Sequence, residues 1–191
     1  MPLLLIIFAL PALVYLIVHR RSGGTWREGL VRVGWRLPKP VYWLWGLGVL
    51  TLLGAIGWLA LRFVPAEILQ DPNLNVSAYA GMTPGFGLFL LILARESLAV
   101  ALGEEIFFRG WLGGWLVRRY GFAIGNLVQA VCFLLPHLLM LAVSTKLWPV
   151  LPVQLAAGWL FGWLRHRSHS ILPGWVVHSL VNTLSALSML P

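Results

Sequence analysis

Charge is scarce in this chain: six acids in 191 residues, with Asp, Glu, Lys and Arg together making up 10%. A soluble domain of that length needs a far larger polar share to cover its surface, so a water-soluble globule is excluded. Cysteine is nearly absent. The single Cys132 stands inside an apolar run, which rules out an intrachain disulfide and leaves redox compartment unspecified. It reads as a small buried hydrophobe. Long-period repeats, low-complexity tracts and any sign of a second domain are missing. So are a basic groove and a recognition helix, which removes nucleic acid as a partner despite a formal charge of +8. The helical zinc signature His-Glu-x-x-His is not there either.

What remains is 59% hydrophobic and contains eleven Trp, the composition of an integral membrane protein. Six apolar segments can be traced. Met1 to Val18 is followed, not preceded, by the positive charges His19-Arg20-Arg21, the reverse of a cleavable signal peptide, so it reads as a retained span. Tyr42 to Val64 is a second span, opened by Trp43 and Trp45 at interfacial level. Residues 85–116 are too long for one simple span and too short for two. A long tilted helix, or one broken near Gly103, is expected there. Phe122 to Val143, with Pro136 bending it, Leu147 to Leu164 with the small pair Gly158 and Gly162, and a last span from about Pro173 to Leu190 complete the set.

Of the fourteen Lys and Arg, ten fall in segments that this layout puts in the cytoplasm: six in 19–40, two at 118 and 119, two at 165 and 167. Lys146 lies in an outside turn, and Arg62, Arg95 and Arg109 lie within or at the ends of spans. The bias predicts an all-α, polytopic transmembrane bundle of about six spans with both termini outside. The whole of 1–191 is expected to form one integral membrane domain, with N-terminal spans and loops in 1–84 and the core in 85–191.

Ionisable groups inside such segments are costly and mark function. Glu104-Glu105-Ile106-Phe107-Phe108-Arg109 places two carboxylates and a guanidinium in an apolar stretch. On an α-helix Glu105 and Arg109 share a face, acid first, while Glu104 points about 100° away. Glu105 is thus neutralised and Glu104 is left to take a proton from water. A purely structural use, both acids locking helices through Arg95 and Arg109, is the competing reading. His137 and His178 tip the balance. Phe133 precedes His137 by one turn, and Asn182 follows His178 by one turn, where an amide can bond a carbonyl oxygen or its oxyanion. One carboxylate and two imidazoles can hold a divalent metal with an open position, or act directly as base and acid. The residues leave both open. Serine chemistry lacks a suitably spaced Ser and base, and His19, His166 and His169 read as solvated loop residues.

Glu104-Glu105-x-x-x-Arg109, Phe133-x-x-x-His137 and His178-x-x-x-Asn182, in that order, resemble the motifs of the CAAX prenyl protease and bacteriocin-processing (CPBP) family of intramembrane endopeptidases, historically also labelled abortive-infection proteins. The resemblance covers residues 95–188. It implies a helical intramembrane protease in which Glu104 activates the water, His137 and His178 position it or a metal, and Asn182 stabilises the oxyanion. Glu105, Arg109 and Phe133 support the site. No cofactor is firmly implied; in a metal-dependent mechanism Glu104, His137 and His178 would hold an ion such as zinc. The expected partners are the lipid bilayer and a membrane-associated peptide or protein substrate. A non-catalytic protein on the same scaffold, a proton-coupled carrier or an immunity partner, is the alternative, although a carrier would ordinarily show matching halves.

Overall fold

A chain that runs through lipid must satisfy every backbone N–H and C=O internally, and apolar segments of this kind do so as helices. The computed structural model describes residues 2–79, 81–188 and 190, and no strand occurs among them. Among the described residues ten α-helices follow one another: α1 (Pro2–Arg21), α2 (Trp26–Arg32), α3 (Val41–Leu61), α4 (Ala66–Leu69), α5 (Phe86–Ala94), α6 (Leu102–Glu104), α7 (Gly113–His137), α8 (Met140–Val143), α9 (Val150–Ser168) and α10 (Leu172–Leu187). Short 3-10 turns at Asn75–Tyr79 and Thr145–Leu147 join some of them. Met1 and Pro191, on which the outward placement of both termini rests, lie outside the described residues.

The long segment after residue 85 is continuous. No break occurs at Gly103; instead the winding changes to π over Arg95–Ala101 and again over Glu105–Leu112, leaving the three residues of α6 between. Gly103 serves close packing, since a Cβ there would stand 3.1 Å from Leu5 Cα of α1. The cytoplasmic segment around Arg118 and Arg119, between the apolar segments 85–116 and 122–143, is narrower than the sequence suggests. Helix runs through Tyr120 and only Gly121, at φ 76° and ψ 170°, departs from it, a conformation that needs the missing Cβ. The two legs of α7 fold against each other at once, with Gly125 against the Leu116 carbonyl.

Two segments, Val41–Leu61 and Phe86–Val143, are long and apolar enough to cross a membrane. Large apolar side chains point outward along them and along α1: Leu10, Leu44, Leu47, Trp58, Phe86, Leu91 and Ile124 are each more than half exposed. The interior lies between α3, α9 and α10, where Leu53, Phe161, Leu164 and Val177 are buried together. The second leg of α7 presses on α9: a Cβ at Gly158 would meet Ala130 Cα at 3.1 Å, and one at Gly162 would strike Asn126. Buried Asn126 and Gln129 donate from α7 to the carbonyls of Trp159 and Gly158 at 3.1 and 3.3 Å. Such bonds hold two helices together where water is not available as a partner.

Loops assigned by charge to the same side meet in space. Arg165 Nη2 donates to the Arg32 carbonyl at 3.0 Å, Ile171 N to the Gly34 carbonyl at 3.0 Å, and Ser170 Oγ to the Arg36 carbonyl. On the other side Phe63 and Pro65 share a surface hollow with Thr145, Lys146 and Trp148. Two smaller expectations are corrected. His19 is not a solvated loop residue: it belongs to α1, stacks on Tyr15 with ring centroids 6.0 Å apart, and stands 3.8 Å from Glu28. Cys132 is half-buried, not fully enclosed.

Candidate active site

Glu104 closes α6 and Glu105 opens the second π stretch, so consecutive carboxylates leave the helix in different directions. Both reach one imidazole. His178 Nδ1 lies 3.1 Å from Glu105 Oε1, and His178 Nε2 lies 3.7 Å from Glu104 Oε2. Glu105 is fully buried and also faces Arg109, whose Nη1 stands 3.0 Å from the same Oε1 in an ion pair that falls short of hydrogen-bond alignment. The guanidinium has donors alone, so the Glu105 oxygen between it and His178 is the acceptor. A His178 Nδ1–H directed at Glu105 turns the other edge of the ring, Nε2, toward Glu104. Glu104 Oε2 is buried and accepts no hydrogen bond from a described residue.

Arg109 is held by rings as well as by charge. Its guanidinium carbon lies 4.0 Å from the centre of Phe133 and 5.2 Å from that of Phe161, a cation–π sandwich in the interior. Phe161 also stacks on His178 at 5.2 Å, so one ring touches both members of the cluster. On α10, Gly174 gives Glu105 its room: a Cβ there would stand 3.0 Å from Glu105 Oε2. One residue on, Trp175 Nε1 donates to the Ser97 carbonyl at 2.9 Å and fixes α10 against the first π stretch.

His137, at the end of α7, donates from Nδ1 to the Phe133 carbonyl at 2.8 Å, which leaves its Nε2 free. Its ring lies 4.6 Å from that of Phe133, which in turn is 6.0 Å from His178. No hydrogen bond or ion pair links His137 to Glu104 or His178 among the described residues. Asn182 is half-buried one turn beyond His178, and no hydrogen bond joins it to Glu104, Glu105 or His178. Among the described residues no three His, Cys, Asp or Glu side chains cluster closely enough to hold a metal ion. As they stand, Glu104, His137 and His178 do not make a ligand set.

Arg95, the other intramembrane base, is engaged elsewhere: its Nη1 donates to Glu96 Oε1 at 2.9 Å and to the Tyr79 hydroxyl at 2.6 Å, and Tyr79 donates to Glu96 at 2.7 Å. Burial is the main reason the Tyr79 hydroxyl is pushed up to about 12. Phe161, Gly174 and Trp175 escaped the sequence reading. Phe161 lies in an apolar run like its neighbours, and only the Pro-Gly start of α10 hinted that Gly174 needed space.

A protein-family model described as type II CAAX prenyl endopeptidase Rce1-like matches residues 86–184, just over half of the chain. The chain belongs to the Rce1-like family. This is the membership that the three spaced motifs suggest, and the matched residues contain all of them. Rce1-like proteins are integral membrane proteases. Neither a curated protein nor a solved structure matches the chain at a comparable level.

Proposed function

We propose that this Rce1-like chain is an intramembrane endopeptidase that hydrolyses a peptide bond in a membrane-associated protein or peptide. The reading rests chiefly on Glu104 Oε2 and His178 Nε2 facing each other at 3.7 Å; in the scheme both act as acceptors. Two acceptors that share the two O–H groups of one water at ordinary hydrogen-bond length stand about 4.4 Å apart, so the pair opens by about 0.7 Å to take a single water between them. Glu104 takes one proton from that water as its oxygen attacks the scissile carbonyl carbon. The tetrahedral intermediate carries its charge on the former carbonyl oxygen, toward which the Asn182 amide donates. Glu104 then returns the proton to the amine nitrogen as the C–N bond breaks. Glu105 and Arg109 do not touch the reacting atoms in this scheme; they keep His178 in the tautomer that leaves Nε2 bare. His137 acts from the far side of Phe133 as a second base or positioning group. No step is routed through a metal.

The reading includes six crossings of the membrane with the basic loops in the cytoplasm. It is supported by the junction of 32–36 with 165–171 at one end and of 63–65 with 145–148 at the other.

The test is cleavage of a broad panel of membrane peptides by purified protein, wild type against Glu104→Gln. Loss of a general base lowers kcat by about 10² to 10⁴. Equal cleavage by both, or by neither across the panel, would point to a non-catalytic role for the scaffold.

A further inference from the structure

A cavity of about 390 Å³, lined in part by Arg109 but by neither Glu104 nor His178, opens among the cytoplasmic ends of the helices. Arg32, Arg36, Arg118 and Arg165 line it, with His166 and His169 at its edge, and no acidic residue is among its lining. These groups come from three segments far apart in sequence, and the fold gathers them around one concavity. Glu28, the one acid of the 19–40 loop, is exposed and spends its carboxylate on the Thr25 cap.

Positive loops alone do not require this arrangement. Like charges separate when they can, and Arg20, Arg21, Arg27 and Arg167 do not line the cavity. Arg165 is instead fixed in its wall. Its Nη2 donates to the Arg32 carbonyl at 3.0 Å, its guanidinium lies over Gly34, and its Nε is buried with no hydrogen-bond partner. A guanidinium anchored in this way, beside three more around one concavity, matches the oxygens of a phosphate group.

The surroundings indicate where such a phosphate comes from. Trp35, Trp115 and Tyr120 are each about half exposed near the same end of the helices, the residue types that sit at headgroup level. Val31 and Val117 give the cavity an apolar share. Basic pockets between spans at the cytoplasmic face take anionic headgroups. We infer that this cavity is a binding site for a phosphate-bearing anion, seated on Arg32, Arg36, Arg118 and Arg165, with the headgroup of an anionic phospholipid as its source. The inference does not depend on the peptidase reading, since Glu104, His137 and His178 take no part in the cavity and Arg109, which the two share, is not among the four arginines that seat the anion.

The test uses the full chain purified in detergent and stripped of lipid. Tryptophan fluorescence follows titration with short-chain phosphatidylglycerol, phosphatidylcholine, or inorganic phosphate. Phosphatidylglycerol should bind saturably and phosphatidylcholine should not. The double variant Arg118→Gln/Arg165→Gln should weaken binding by about a hundredfold, as expected for two charge-assisted hydrogen bonds. Removing the same charge outside the cavity, in Arg27→Gln/Arg167→Gln, should cost no more than about fivefold. If the first pair fails to fold, Arg36→Gln tests the same wall. A saturable response to inorganic phosphate, lost in the cavity variant, assigns the site to free phosphate; silence toward it, with phosphatidylglycerol bound, assigns it to the lipid. Equal losses in both double variants, or no distinction between the two lipids together with no phosphate response, overturn the inference.

Discussion

Replacing Arg109 with Met tests how the buried charges are held. Arg109 and Glu105 have fully buried side chains, and the variant leaves the Glu105 carboxylate with His178 as its one remaining partner in the cluster. Removing one member of a buried ion pair costs about 3–5 kcal/mol. Loss of the cation–π contacts with Phe133 and Phe161 adds about 2 kcal/mol, of which a thioether against the same rings recovers about 1 kcal/mol. The net of about 4–6 kcal/mol is a large part of the roughly 5–15 kcal/mol that holds a typical domain together. Unfolding in mixed micelles with increasing SDS, followed by tryptophan fluorescence, gives the number directly. Glu105→Gln alone should be damaging for the mirror-image reason, a stranded guanidinium. The double variant Glu105→Gln/Arg109→Met should then be more stable than the sum of the single losses predicts, by about 3 kcal/mol. It should still lose activity, because an amide holds the His178 imidazole less firmly than a carboxylate does. An Arg109→Met protein within about 1 kcal/mol of wild type, or strictly additive losses in the cycle, would refute the account of this cluster.

Two other outcomes follow from packing and capping. Gly158→Leu should lower stability by about 1–3 kcal/mol by forcing α7 away from α9, whereas Gly54→Ala, with open space around its Cα, should be neutral or slightly stabilising; the same SDS titration compares them. Hydrogen bonds from the Thr25 backbone and side chain hold the Glu28 carboxyl below its ordinary 4.5, so the cap on α2 is fully present above that value. As pH falls through the lowered value the cap is lost, and amide exchange in 26–32 should accelerate there while α9 stays protected; unchanged exchange would refute the capping account.

The helical character and the membrane setting were legible in the sequence because they depend on composition and run length, which no tertiary contact alters. Spacing alone brought Glu104, Glu105, Arg109 and His178 into view, since intramembrane charges need partners and few were on offer. What local pattern did not carry was the winding. An α-helical wheel treats residues 85–116 as uniform and looks to Gly103 for a break, yet the helix there is unbroken and changes pitch on either side. Nor could it reveal contacts between spans. Phe161 and Gly174 matter through what faces them, the guanidinium of Arg109 and the carboxylate of Glu105, and neighbours from other helices leave no mark on a residue's own surroundings in the chain.

The order of the two acids bears on the chemistry. Glu104 and Glu105 are consecutive, so on any helix their side chains diverge, and two groups that diverge can meet one partner only by approaching it from different sides. His178 is that partner: one carboxylate stands at each ring nitrogen, 3.1 Å from Nδ1 and 3.7 Å from Nε2. The shorter contact belongs to the acid that Arg109 neutralises, the longer to the acid that has no cation of its own. An imidazole clamped on one edge by a charge-balanced carboxylate has its tautomer fixed, and its other edge is offered with the second carboxylate to whatever lies between them. If the two acids exchanged roles, with Arg109 beside Glu104, the guanidinium would stand at the longer contact and Glu105 would face His178 without it. The order of the motif, acid, acid, three residues, arginine, puts the cation four residues from the second acid and five from the first, and so determines which of the two remains available.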